Sequence, residues 1–180
     1  MKHASIVETN VLATANGHAS HSNEGCVSRC IEELAKVING GYLLIDDGGR
    51  IFKEYARYAT RKGQPGPGDA FFKWAWYNQT NDSVCGLIAI TEISGSENHF
   101  EEFPTDASLI NFDRADRKWI AVSVASNRDP EILNATDTDW WNYIEALEQN
   151  GIRVRFICPE HMKTKVKKKH IGRQIRKRRD

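Results

Sequence analysis

The sequence predicts an α/β fold built on a central, mainly parallel five-stranded sheet. Two observations carry this. Apolar runs of strand length recur along the chain, and stretches of helical period or helical composition separate most of them. Several of the intervening helical stretches end at glycine or at Asn-Gly, which punctuates helices.

Residues 4–8, ASIVE, read as a short buried strand, and polar Thr9-Asn10 follows at once. A helix begins over Val11 to Ala15, and residues 17–25 form a polar break with His18, His21 and Asn23. Residues 26–38 place Val27, Cys30, Ile31, Leu34 and Val37 at helical spacing, and Asn39-Gly40-Gly41 stops that helix. YLLID at 42–46 is a continuous apolar run, as expected of a strand covered on both faces. Asp46 to Gly49 is a turn, and a helix runs from Arg50 until Gly63. GQPGPGD at 63–69 is a loop, the aromatic stretch 70–79 is helical, and CGLIAIT at 85–91 is the third strand. Residues 94–106 are a polar connection. Residues 116–126 satisfy both strand propensity and helical period, so both readings stay open. Residues 132–136 are the fourth strand, Asp139 to Asn150 a helix ended by Gly151, and RVRFIC at 153–158 the fifth strand.

The chain has 180 residues, 40% hydrophobic and 27% charged, as expected for one domain with a core and short appendages. No apolar run approaches the roughly 20 residues of a membrane span, and the first ten residues do not form a secretory signal. The expected location is cytoplasmic, with no membrane partner. Cys26, Cys30, Cys85 and Cys158 match neither a disulfide framework nor a zinc-ligand spacing, and reduced buried thiols are expected.

The net charge of +1 conceals an asymmetry. Residues 163–179 hold ten of the 25 Lys and Arg, which leaves 15 basic against 23 acidic residues in 1–162. The domain is therefore assigned to 1–162, at about −8, and residues 163–180 to a basic, unstructured tail. Within that tail Lys167, Lys168, Lys169, Arg173 and Arg176 are expected to contact nucleic-acid phosphates.

Acids recur where strands end. Glu8 closes the first strand, and Asp46 and Asp47 the second, with Glu54 a turn into the next helix. Asp113 and Asp116 precede residues 116–126, and Asp137 and Asp139 follow the fourth strand. Ligands of open α/β sheets bind beyond the carboxyl ends of the strands, so these acids are expected to converge. Gathered carboxylates repel one another unless a cation sits among them, and hard oxygen donors suit Mg²⁺ or Mn²⁺. A single such acid serves equally well as a helix cap, and Asp46 and Asp47 fit a purely local turn role.

Four of these segments, taken in order, resemble the motifs of PIN-like nuclease domains. Glu8-Thr9-Asn10-Val11-Leu12 is similar to the family's opening D-T-N-x-L, with Glu in place of Asp. Asp46 followed by a helix with Glu54 resembles the second acidic element, and Asp113-Arg114-Ala115-Asp116 the third. Ala135-Thr136-Asp137-Thr138-Asp139 resembles the fourth. The likeness covers roughly residues 4–158. It implies helices on both faces of the sheet, in three layers, and cleavage dependent on Mg²⁺ or Mn²⁺, usually of RNA. It further implies Glu8, Glu54, Asp116 and Asp137 as the catalytic, metal-binding quartet, with Asp113 and Asp139 as additional metal ligands and Asn10 as a polar substrate contact.

The functional expectation is a metal-dependent endoribonuclease of toxin or defence-effector type. Its partners are nucleic acid, RNA ahead of DNA, and an inhibitory or regulatory protein, with a homodimer as a further expectation. The competing readings are a catalytically silent nucleic-acid-binding module and a phosphatase-like metal hydrolase using Arg114, Arg117 or Lys118. Phe71, Phe72, Trp74, Trp76 and Tyr77 fit a core better than a base-stacking face, and Trp140-Trp141 is expected to split between core and surface.

Overall fold

Strand β1, Ala4–Val7, is buried at all four positions, and β2, Tyr42–Asp46, at all five. This is the pattern of strands covered on both faces, and their mostly apolar sequence, with Ser5 and Asp46 as the polar members, accords with it. A computed structural model describes residues 2–19, 22–62 and 65–161 of the chain. The remaining strands are β3, Cys85–Ile88, β4, Glu131–Asn134, and β5, Arg153–Phe156. The sheet order is β3-β2-β1-β4-β5, with every neighbouring pair parallel. The first, second and fourth strands therefore lie side by side, which is what convergence of their acids needs.

The helices are α1, Thr9–Ala15, α2, Glu24–Gly40, α3, Arg50–Tyr58, and α4, Pro67–Asn78. After β3 come α5, Arg117–Ala125, then α6, Thr138–Trp141, and α7, Ile144–Gln149. Chain order steps from β1 through β2 to β3, and then jumps back across β1 to β4 and β5. Right-handed crossovers put the helices of the two directions on opposite faces, an arrangement compatible with three layers. In keeping with this, α1, α2 and α4 pack on one another, while α5 packs on β2 and β4. Gly68 allows the closest approach between α4 and α1, because a Cβ there would meet the Leu12 carbonyl.

Several expected elements shift for physical reasons. The ambiguous 116–126 segment is helix. Every residue from Arg117 to Ser123 is buried, so no polar face marks a period. The single helix expected over 139–150 is two, separated at Asn142-Tyr143. The strand expected over 132–136 ends at Asn134, and the helix expected from Arg50 to Gly63 ends at Tyr58. Phe71 and Phe72 join the core as expected, while Trp76 and Tyr77 face outward and Arg61 stacks over Trp76 at 3.7 Å. Trp140 is buried and Trp141 half-buried.

The expectation of four reduced thiols is corrected. Cys26 and Cys158 form a disulfide across 132 residues, with Cα atoms 5.6 Å apart, whereas Cys30 and Cys85 are free and buried. The pairing escapes a reading of spacing because it joins the first turn of α2 to the end of β5, which only the tertiary fold brings together. Among the described residues no helix is long and apolar enough to cross a membrane. The basic tail, with Lys167, Lys168, Lys169, Arg173 and Arg176, lies outside the described residues.

Asp46 takes the local role. Its carboxylate is buried and accepts hydrogen bonds from the Arg50 and Ile51 amides at 2.7 and 2.8 Å, closing the start of α3. Gly49, at φ 70°, makes the tight entry to that helix. Asp46→Ala orphans one buried and one partly buried amide, and is expected to destabilise the protein by about 2–3 kcal/mol. The measurement is the urea midpoint at unchanged slope.

Candidate active site

Glu8 stands where β1 becomes α1. Its backbone amide bonds to the Leu133 carbonyl of β4 at 3.0 Å, and its side chain caps α1 by accepting from the Asn10 amide at 2.8 Å. The carboxylate is thereby fixed at the carboxyl end of the sheet and is 5% exposed. Burial pushes its pKa well above the usual carboxylate range, and the charges of Asp116, Glu54 and Asp137 add to the rise.

Asn10 joins the two neighbouring strand ends. Its side-chain amide donates to Asn134 Oδ1 at 3.1 Å and its own oxygen accepts from the Ala135 amide at 2.7 Å. Asn134 Oδ1 also accepts from the Asp137 amide at 3.0 Å. Asp137 follows as the cap of α6, accepting from the Asp139 amide at 2.8 Å. The Asn10 reading as a substrate contact therefore meets a side chain whose amide and oxygen both hold the scaffold.

Asp116 precedes α5 but makes no capping bond with its side chain. Trp140 Nε1 donates to its carboxylate at 2.9 Å and orients it. Burial raises the Asp116 pKa to about 6. The Trp140 bond opposes that rise and the Asp137 charge adds to it. Asp113 sits three residues earlier, exposed, capping a single 3₁₀ turn through the Ala115 amide at 2.9 Å.

Glu54 arrives from α3. One oxygen accepts from the Thr9 hydroxyl at 2.8 Å, and the other pairs with the Lys118 ammonium, which also donates to the Ala115 carbonyl. The Lys118 side chain is only 6% exposed, so its charge belongs to this cluster.

Glu8, Glu54, Asp113, Asp116 and Asp137 line one cleft of about 370 Å³, together with Asn10, Arg57 and Tyr58. The fold thus gathers the whole quartet and one of the two additional acids. Asp139 is exposed and does not line the cleft. Glu54 and Arg57 also border an adjoining groove of about 330 Å³, where Lys53, Arg50 and Lys118 supply positive charge. Arg50 there is paired with Glu92 at 2.9 Å.

The sequence reading missed Lys53 and Arg57. The signal existed, since Arg50, Lys53, Glu54 and Arg57 fall at i, i+3, i+4 and i+7, a single polar stripe of α3. Arg117, named for a phosphate role, is instead buried and donates to the Ile110 and Phe112 carbonyls.

The donor set fits a hard divalent cation, being all carboxylate oxygen. Burial and mutual repulsion at Glu8 and Asp116 are what such a cation relieves. The acids are not drawn into a closed cage. Among the described residues, no three carboxylates offer oxygens all within 4.8 Å of one another. Compared with models of protein families, with curated proteins and with solved structures, the chain has no match.

Proposed function

We propose that the chain is a metal-dependent nuclease of PIN-like type that hydrolyses phosphodiester bonds, with RNA as the substrate class. The supporting observation is one shared cleft at the carboxyl end of the sheet. Glu8, Glu54, Asp116 and Asp137 reach it from four separate elements, and burial and like charge raise Glu8 and Asp116. The choice of RNA rests on the resemblance of the four acidic motifs.

In this reading Glu8, Asp116 and Asp137 hold Mg²⁺ or Mn²⁺. A bound ion of this kind polarises a phosphoryl oxygen and lowers the pKa of an attacking water. Glu8 is held by its capping bond and Asp116 by Trp140, so both carboxylates are positioned in advance. Asn10 keeps the ends of β1 and β4 in register, which fixes the spacing between Glu8 and Asp137. Lys118 holds Glu54 and balances part of the acidic charge. Lys53 and Arg57, in the adjoining groove, receive the backbone phosphates flanking the scissile bond.

The experiment is incubation of the full chain with mixed single-stranded RNA and DNA in Mn²⁺, in Mg²⁺ and in EDTA. Cleavage of RNA with either ion and its loss in EDTA are expected. Undiminished cleavage in EDTA after thorough dialysis would contradict the proposal. One observation favours a second reading, a catalytically silent nucleic-acid-binding module: both Glu54 oxygens already have partners in Thr9 and Lys118. Binding of RNA without cleavage in any of these conditions is the outcome that selects it.

A further inference from the structure

Beyond the carboxyl end of the edge strand β5, three sulfurs meet, with the Cys158 amide donating to the Ala135 carbonyl at 3.3 Å. The Sγ atoms of Cys26, Cys30 and Cys158 all lie within 4.8 Å of one another and all three residues are buried. Cys26 and Cys30 are one turn apart on the same face of α2, and Cys158 follows β5. The two arms are braced independently of sulfur. Arg29 Nε donates to the Ile157 carbonyl at 3.1 Å, and its guanidinium pairs with Glu160. A disulfide between Cys26 and Cys158 accounts for two of the sulfurs and leaves the third, Cys30, against it without a role.

A second feature points the same way. His161 stands three residues beyond Cys158, its amide donating to the Cys158 carbonyl at 3.1 Å. Its Nε2 is buried and has no hydrogen-bond partner among the described residues. The ring is outside the 4.8 Å set, so it must swing to join the sulfurs. Buried polar atoms are ordinarily satisfied, and a neutral imidazole nitrogen without a donor beside it is a ready metal ligand.

We propose that Cys26, Cys30, Cys158 and His161 form a structural zinc site, the disulfide being its oxidised, metal-free state. Three thiolates and one imidazole are a standard closed zinc donor set, and soft sulfur selects Zn²⁺ over the hard ions suited to the acidic cleft. Tetrahedral coordination with Zn–S near 2.3 Å puts sulfurs roughly 3.8 Å apart, so the bonded Cys26 and Cys158 sulfurs must move apart on reduction while the set stays inside 4.8 Å. A dithiol reductant delivers two electrons and two protons to the Cys26–Cys158 bond, breaking it into two thiols and itself becoming a disulfide. Those two and Cys30 then release three protons to solvent as they bind Zn²⁺, and neutral His161 completes the set. The resulting unit carries one negative charge, beside the Arg29 guanidinium. It would clamp the end of β5 to the first turn of α2, just before the basic tail begins.

The test uses the full chain, purified with a dithiol reductant and without chelator. Zinc content by mass spectrometry should be near one per chain. Replacement by Co²⁺ should give the strong visible bands of a tetrahedral thiolate site. Cys30→Ser and His161→Ala should each weaken zinc retention at least about tenfold in a chelator competition. Cys30→Ser is informative because it leaves a Cys26–Cys158 disulfide untouched. If that variant fails to fold, His161→Ala and the Co²⁺ spectrum of the unaltered chain still decide. Absence of bound metal after full reduction, or equal retention by Cys30→Ser, would overturn the proposal and leave a disulfide with a neighbouring thiol. The outcome is independent of nuclease activity.

Discussion

Asp116→Asn is expected to lower RNA cleavage in Mn²⁺ by roughly 10³-fold, because a metal ion supplies several kcal/mol of transition-state stabilisation. The amide keeps the size of the side chain and can still accept from Trp140 Nε1, so the loss is one of charge. The metal-free variant is expected to be more stable at pH 7.5. A carboxylate whose pKa rises from 3.8 to about 6 on folding costs about 3 kcal/mol when ionised. A weaker, uncharged bond to Trp140 takes back about 1 kcal/mol, leaving a net gain of about 2 kcal/mol.

The sign with pH follows from the direction of the shift. Above pH 6 the folded state holds an ionised Asp116 at a cost. As pH falls through about 6 towards 3.8 the folded state takes up the proton first, and this group adds stability. Glu8 is shifted in the same direction. The melting temperature of the metal-free chain, compared with that of Asp116→Asn, should therefore gain on acidification from pH 7 to 4.5. Comparison with the variant removes the opposing contributions of Glu33 and Glu92, whose arginine partners hold them below the usual range. An Asp116 that served only as scaffold would leave turnover intact and give no gain.

Lys118→Met is the second large effect. The ammonium is nearly buried, while Glu54 is 20% exposed and retains its bond from Thr9. Breaking a fully buried pair costs about 3–5 kcal/mol, and the access of water to Glu54 reduces this to about 2 kcal/mol. The acidic cleft also becomes more negative by one charge. Divalent metal should therefore recover more stability in Lys118→Met than in the unaltered chain, read as the Mn²⁺-dependent rise in melting temperature. A lysine that merely anchors α5 would give the same deficit with and without Mn²⁺.

The parts of this arrangement differ in how far the sequence alone discloses them. Glu8 and Asp137 were legible because Glu8 closes the run 4–8 and Asp137 follows the strand expected over 132–136, and parallel strands share one carboxyl end. Asp46 looked the same by that criterion, yet its carboxylate is consumed by the Arg50 and Ile51 amides. A cap and a metal ligand are the same residue in the same place, and only hydrogen-bond partners separate them. Lys118 was visible as a charge near the acids, but its partner, Glu54, lies 64 positions earlier, on a helix from the other half of the sheet. Residues 116–126 gave no usable period because burial surrounds them. Cys26, Cys30 and Cys158 gave no pairing or ligand spacing in the sequence, because only the fold brings their sulfurs together.

The most direct measurement is a Mn²⁺ titration of the full chain and of Asp116→Asn at pH 7.5, followed by melting temperature. The protein should first be dialysed free of loosely held divalent metal. The expected result is a melting temperature that rises with the logarithm of Mn²⁺ concentration in the unaltered chain and stays nearly level in the variant. Equal slopes in the two proteins, or no slope in either, would contradict a divalent metal held by the Glu8, Asp116 and Asp137 cleft.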